Sequence, residues 1–135
     1  MKCRLVFLLV PIAGVACDSV TNHYQTLDEA RADGLFERGW LPDVLPPSAY
    51  DISVRNNLDL NTSEGRFSFA AEDFSRLDER LASLSEQAEA SLGPLADAVS
   101  TRTGEEYSVY RYRESGRQWA FQCMPEQGYC RYYMQ

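Results

Sequence analysis

The chain has 135 residues, 44% hydrophobic and 24% charged, with 13 basic against 20 acidic side chains for a net charge of −7. That length fits one compact domain, and an ordinary apolar fraction argues against a largely disordered chain. The acidity argues against coating nucleic acid or holding an anionic bilayer by charge, and a single histidine excludes multi-histidine metal sites.

Residues 1–17 read MKCRLVFLLVPIAGVAC. Lys2 and Arg4 give a positive start, and Leu5 to Val15 form an apolar run of export-signal length. A spanning helix needs about 20 such residues, and Pro11 further disfavours a buried helix. The run ends Gly14-Val15-Ala16-Cys17, which resembles a bacterial lipobox. In such signals the cysteine receives diacylglycerol and the peptide is cut just before it. Gly14 departs from the pattern, where a Leu-like residue is usual. Lipidation of Cys17 is the favoured reading; Gly-Val-Ala also fits ordinary signal cleavage, which would leave a secreted soluble protein. Asp18 resembles an inner-membrane retention signal. The expected organisation is a signal peptide over 1–16, a tether over 17–25 carrying the lipidated cysteine, and one domain over 26–135.

Thr26-Leu27-Asp28-Glu29 reads as a capping box opening a short helix that Gly34 stops or that runs on to Arg38. In GWLPDVLPPSAY (39–50), Pro42, Pro46 and Pro47 exclude helix and central strand. Its Trp40, Leu41, Val44 and Leu45 predict an ordered loop laid on the core. Alternation around Ile52 and Val54 predicts a strand over about 50–56, and Arg66 to Phe69 a second. Phe74, Leu77, Leu81, Leu84 and Ala88 form the apolar stripe of a helix over about 72–92. Gly93-Pro94 breaks it, and PLADAVS begins a short second helix. From Tyr107 onward the pattern is three strands joined by two tight turns. The expected fold class is α+β: an antiparallel sheet of about five strands, including a C-terminal three-stranded meander, packed against one main amphipathic helix.

The run T-L-D-E-A-R-A-D-G-L-F-E-R-G-W-L-P-D-V-L-P-P-S-A-Y-D-I, followed by D-L-N-T and G-R-F-S-F, resembles a bacterial family called the YbbD head domain. Its members are small proteins, often with an export or lipoprotein signal. The resemblance covers Leu27 to Phe69, about a third of the chain, and implies no catalytic residue. Family members tend to have D-x-D-T-N where this chain has Asp59-Leu60-Asn61-Thr62.

With Cys3 in the signal and Cys17 lipidated, Cys123 and Cys130 remain as a pair flanking a turn that contains Pro125 and Gly128. In an oxidising compartment this spacing reads as a disulfide stapling a hairpin, since a redox pair is usually C-x-x-C and no further zinc ligand is near. His23 sits in the expected tether, where it reads as an idle surface residue. Asp59, Asn61 and Ser63 alternate as in a calcium loop, but Glu64 and Ala70 stand where an EF-hand needs glycine and glutamate. The helix carboxylates read as a solvated face, and no nucleophile motif or phosphate-binding glycine pattern is present. Neither catalysis nor a cofactor is therefore expected.

The C-terminal tail is the most suggestive segment. Tyr110, Arg111, Tyr112, Arg113, Arg117, Trp119, Arg131, Tyr132 and Tyr133 form a candidate binding surface of residue types enriched at protein-binding hot spots and suited to sugar stacking and carboxylate recognition. The competing reading is plain strand composition, with Tyr107, Val109 and Arg111 on one face and Tyr110 and Tyr112 on the other. From residue 107 on, four arginines face two glutamates, whereas residues 17–106 carry seven basic against eighteen acidic groups. The sequence thus predicts a lipid-anchored envelope protein serving as a non-catalytic binding or accessory module. Its partner would be an envelope protein or glycan, not nucleic acid. The alternatives are a periplasmic immunity or inhibitor protein and, in a different class, a small envelope hydrolase.

Overall fold

The computed structural model describes residues 19–85 and 107–135. The expected signal peptide, Cys17, the expected helix end over 86–92 and the helix expected at PLADAVS lie outside the described residues. In chain order the elements are β1 (Ser19–Thr26), α1 (Leu27–Ala32), β2 (Tyr50–Asn57), β3 (Thr62–Ser68), a 3₁₀ turn (Ala71–Asp73), α2 (Phe74–Ser85), β4 (Ser108–Glu114), β5 (Arg117–Met124), a 3₁₀ turn (Pro125–Gln127) and β6 (Tyr129–Met134). The strands form one antiparallel sheet in the order β1-β2-β3-β6-β5-β4.

An antiparallel sheet with helix on it is the expected class, but there are six strands rather than five. The additional strand is β1, which occupies most of the segment expected to be a tether. An edge strand needs little apolar content, and in β1 only Tyr24 is buried. A polar stretch with one buried residue in eight carries almost no alternation to read.

Capping behaves as the sequence predicts. The Thr26 hydroxyl accepts from the Glu29 amide at 3.2 Å, and the Glu29 carboxylate reaches back to the Gln25 amide at 2.7 Å. Helix α1 is only six residues long, and Gly34, at φ +73°, turns the chain away from it. In α2, Leu77 and Leu81 are fully buried, and the Phe74 ring stacks on Phe69 and packs against Tyr110.

The core lies on one face of the sheet. Ile52, Val54, Phe67, Phe121, Tyr132 and Met134 meet Leu77 and Leu81 from α2 and Leu27 and Ala30 from α1. The proline-rich loop joins them with Leu41, Val44 and Leu45, so it is packed as its composition predicts. Two C-terminal side chains hold it: Trp119 Nε1 donates to the Trp40 carbonyl at 3.1 Å, and Arg117 donates to the Arg38 and Gly39 carbonyls. Gly39, at φ +74°, lies so close to the Arg117 guanidinium that a Cβ there would collide with it.

The two halves of the sheet meet at β3 and β6. There Gly65 faces Tyr132 in register, and its missing side chain lets the Tyr132 ring lie across β3. The buried Ser63 hydroxyl donates to Asn56 Oδ1 at 2.7 Å and lies 3.1 Å from the Tyr132 hydroxyl. Burial pushes the Tyr132 phenol well above its ordinary pKa, so it stays protonated and able to donate. A Cβ at Gly65 would fall 2.2 Å from the Ser53 carbonyl oxygen and 2.7 Å from Tyr132. Gly65→Ala is therefore expected to lower the unfolding free energy by about 2–3 kcal/mol, read from urea denaturation. Tyr132→Phe, which keeps the ring and loses one hydrogen bond, should cost only about 1 kcal/mol.

A polar cluster ties β1 to the end of α1. Asp33 accepts from the Tyr24 hydroxyl, from Arg38 at 3.0 Å and from Asn22 at 3.4 Å. The Tyr24 bond first, then Arg38, holds the Asp33 carboxyl below the ordinary aspartate value. A folded-state value below the unfolded one means the stabilisation is complete above the unfolded pKa and lost as pH falls through the folded one. Asp33→Asn should therefore flatten the loss of stability as pH falls through and below the ordinary aspartate range. Parallel acid profiles for the two proteins would assign Asp33 no part in it.

Candidate functional site

Alternation along each strand gives the sheet a second face, turned away from the helices. On it β1 places Thr21, β2 Ser53 and Arg55, β3 Glu64 and Arg66, and β6 Tyr129, Arg131 and Tyr133. These side chains line a groove of about 270 Å³, floored by the backbone around Val54, Gly65 and Tyr132. Three arginines and one glutamate thus share one cleft on an acidic protein.

The register sets the electrostatics. Arg66 of β3 stands directly opposite Arg131 of β6. Like charges in such a pair destabilise a sheet by up to about 1 kcal/mol. Arg131 is steadied by phenols rather than by a carboxylate. Its Nε donates to the Tyr129 hydroxyl at 3.0 Å, and its guanidinium lies 5.7 Å and 5.9 Å from the rings of Tyr129 and Tyr107. The Tyr129 bond is the main cause of a raised Arg131 pKa, against an opposing effect of burial. Glu64 lies 3.8 Å from Arg55, and among the described residues neither Arg66 nor Arg131 has an ion-pair partner.

His23 is exposed, as expected, and lies on the same face beside the groove. Its Nε2 lies 2.6 Å from Asp51 Oδ1, and the register puts His23 across from Ser53. Asp51, at φ +50°, sits where the pairing of β2 with β3 shifts register between Tyr50 and Ser53. Asp59 and Asn61 are exposed at the β2–β3 turn, while Ser63 turns into the core. The alternating series therefore does not converge on one point.

The nine expected surface residues do not form one surface. Tyr110, Trp119 and Tyr132 are 9%, 2% and 0% exposed and belong to the core, and Arg111 is 7% exposed. Tyr112 is half-buried against the Trp119 ring, and Arg117 holds the proline-rich loop. Arg113 is exposed and donates to Gln118. Only Arg131 and Tyr133 line the groove with their side chains. The facing of Tyr107, Val109 and Arg111 against Tyr110 and Tyr112 follows the expected alternation. Arg55, Glu64, Arg66 and Tyr129 were not expected at the site. Same-face spacing at 53/55 and 64/66 was readable, but the pairing of β3 with β6 was not.

Residues 18–68 match the family model of the YbbD head domain. No curated protein and no solved structure matches the chain. The segment similar to the YbbD head domain thus supplies β1 to β3 and five of the groove's side chains: Thr21, Ser53, Arg55, Glu64 and Arg66. Tyr129, Arg131 and Tyr133 come from beyond the YbbD-head match.

Cys123 and Cys130 face each other directly across β5 and β6, both fully buried on the core side and joined as a disulfide. Replacing both with serine should lower the unfolding free energy by about 2–3 kcal/mol by chain-entropy reasoning, in a denaturation series run beside the reduced wild type. Near-equal stability of all three would deny the bridge a structural role.

Proposed function

We propose that this is a bacterial envelope protein, lipidated at Cys17, that acts as a non-catalytic binding or accessory module through the groove on its outer sheet face. The groove carries this reading, because guanidinium and phenol groups are brought to one cleft from three strands and face away from the core. Similarity to the YbbD head domain supports an envelope-associated protein, and the N-terminal sequence supports anchorage, with Asp18 favouring the inner membrane. Two experiments test it. Radiolabelled palmitate should enter the wild type and not Cys17→Ser; label on neither variant leaves a secreted protein. A photoreactive benzoylphenylalanine in place of Tyr133 should give a discrete envelope adduct in living cells, and the same group in place of Arg76 on α2 should not. No adduct at 133 counts against the module.

One observation favours a second reading, a small envelope hydrolase: the His23–Asp51 contact beside Ser53. Turnover of cell-wall or lipid substrate that disappears in His23→Ala would replace the first reading with this one.

A further inference from the structure

Deepening the reading of the groove as a binding site, we infer that it takes an oxyanion carried on a single ring, in the manner of an acidic sugar, with the anion held between Arg66 and Arg131. Three observations converge on this.

The first is the register. Arg66 and Arg131 are direct cross-strand partners on one face, a placement that repels unless a negative charge lies between them. Among the described residues no carboxylate supplies that charge: the groove's one carboxylate, Glu64, is the ion-pair neighbour of Arg55. An oxyanion offers each guanidinium a planar or tetrahedral set of acceptor oxygens, the geometry that arginine recognises best.

The second is preorganisation. Arg131 is fixed by its bond to the Tyr129 hydroxyl and by the rings of Tyr107 and Tyr129, so one half of the clamp is positioned before ligand arrives. These contacts hold the cation without neutralising it. Arg66 is exposed and bears no ion pair among the described residues, which leaves it able to swing onto the anion.

The third is size and lining. A volume of about 270 Å³ falls just below the usual range of small-molecule pockets, which begins near 300 Å³. That admits one ring with an acidic substituent rather than a long chain. The half-buried Tyr129 and Tyr133 offer ring faces for the body of the ligand, and Thr21 and Ser53 offer hydroxyls at the far wall.

The shared chemistry, an oxyanion on a ring, has two sources, a carboxylated sugar or a sugar phosphate. Calorimetry on the full chain in detergent solution separates them with N-acetylmuramic acid, glucose 1-phosphate and the neutral N-acetylglucosamine as probes. Saturable binding of either acidic probe, with the neutral sugar at least about tenfold weaker, is the expected result. The tighter of the two acidic probes assigns the source. Arg66→Gln and Arg131→Gln should each weaken the acidic probe about tenfold, while Arg76→Gln, on the opposite side of the sheet, should not. Arg66 is exposed, so its variant keeps the fold, and an unchanged thermal midpoint verifies that. Equal binding of the neutral sugar, no binding of either acid, or indifference to Arg66→Gln would overturn the inference. If the acids fail while the adduct at position 133 still forms, only the anion chemistry falls; if both fail, the binding reading falls with it.

Discussion

The pairing of β3 with β6 is the constraint on which the rest of the molecule depends. It joins the strands before α2 to the meander after it, across a long stretch of sequence. The join is made where a side chain is missing: Gly65 leaves room for the Tyr132 ring, and the ring's hydroxyl meets Ser63, which in turn binds Asn56. Three strands are thereby linked by one buried polar chain inside an aromatic core. Phe67, Phe121 and Tyr132 pack around that point at centroid separations of 6.5 Å and 6.2 Å. The same register that buries these residues on one face necessarily opposes Arg66 and Arg131 on the other. Core and groove are two consequences of a single alignment.

The division of labour between the faces follows from this. The helix side spends its aromatic residues on packing, and the tryptophan and arginine of β5 secure the proline-rich loop. The other side keeps charges and phenols that the core does not need. Near β4 and β5 that side is closed, with Arg111, Ala120 and Gln122 buried. The accessible part is the centre of the sheet, over β2, β3 and β6.

Much of the local structure could be read from the sequence, because it is written in local chemistry. The Thr26–Glu29 box, the alternation around Ile52 and Val54, the Phe74–Leu77–Leu81 stripe, the packed proline loop and the meander all depend on residues close in the chain. Two features escaped. Strand β1 did so because an edge strand with one buried tyrosine is nearly all polar. The groove did so because it needs β3 beside β6, and no periodicity encodes which distant strands meet. Composition also misled: tyrosine and tryptophan in the tail looked like a binding surface, yet burial claims Tyr110, Trp119 and Tyr132. His23 was placed in a tether for the same reason that β1 was missed, yet it stands in β1 across from Ser53.

The β3 edge also sets a limit on modularity. The segment similar to the YbbD head domain stops at residue 68, the last residue of β3, but the hydrogen bonding does not stop there. Cut at that boundary, β3 would present an open row of amides and carbonyls beside an uncovered Phe67, the kind of edge that draws chains into aggregates. The segment is therefore portable only in company. In this protein β6 is the strand that closes β3, and its identity decides what stands opposite Arg66.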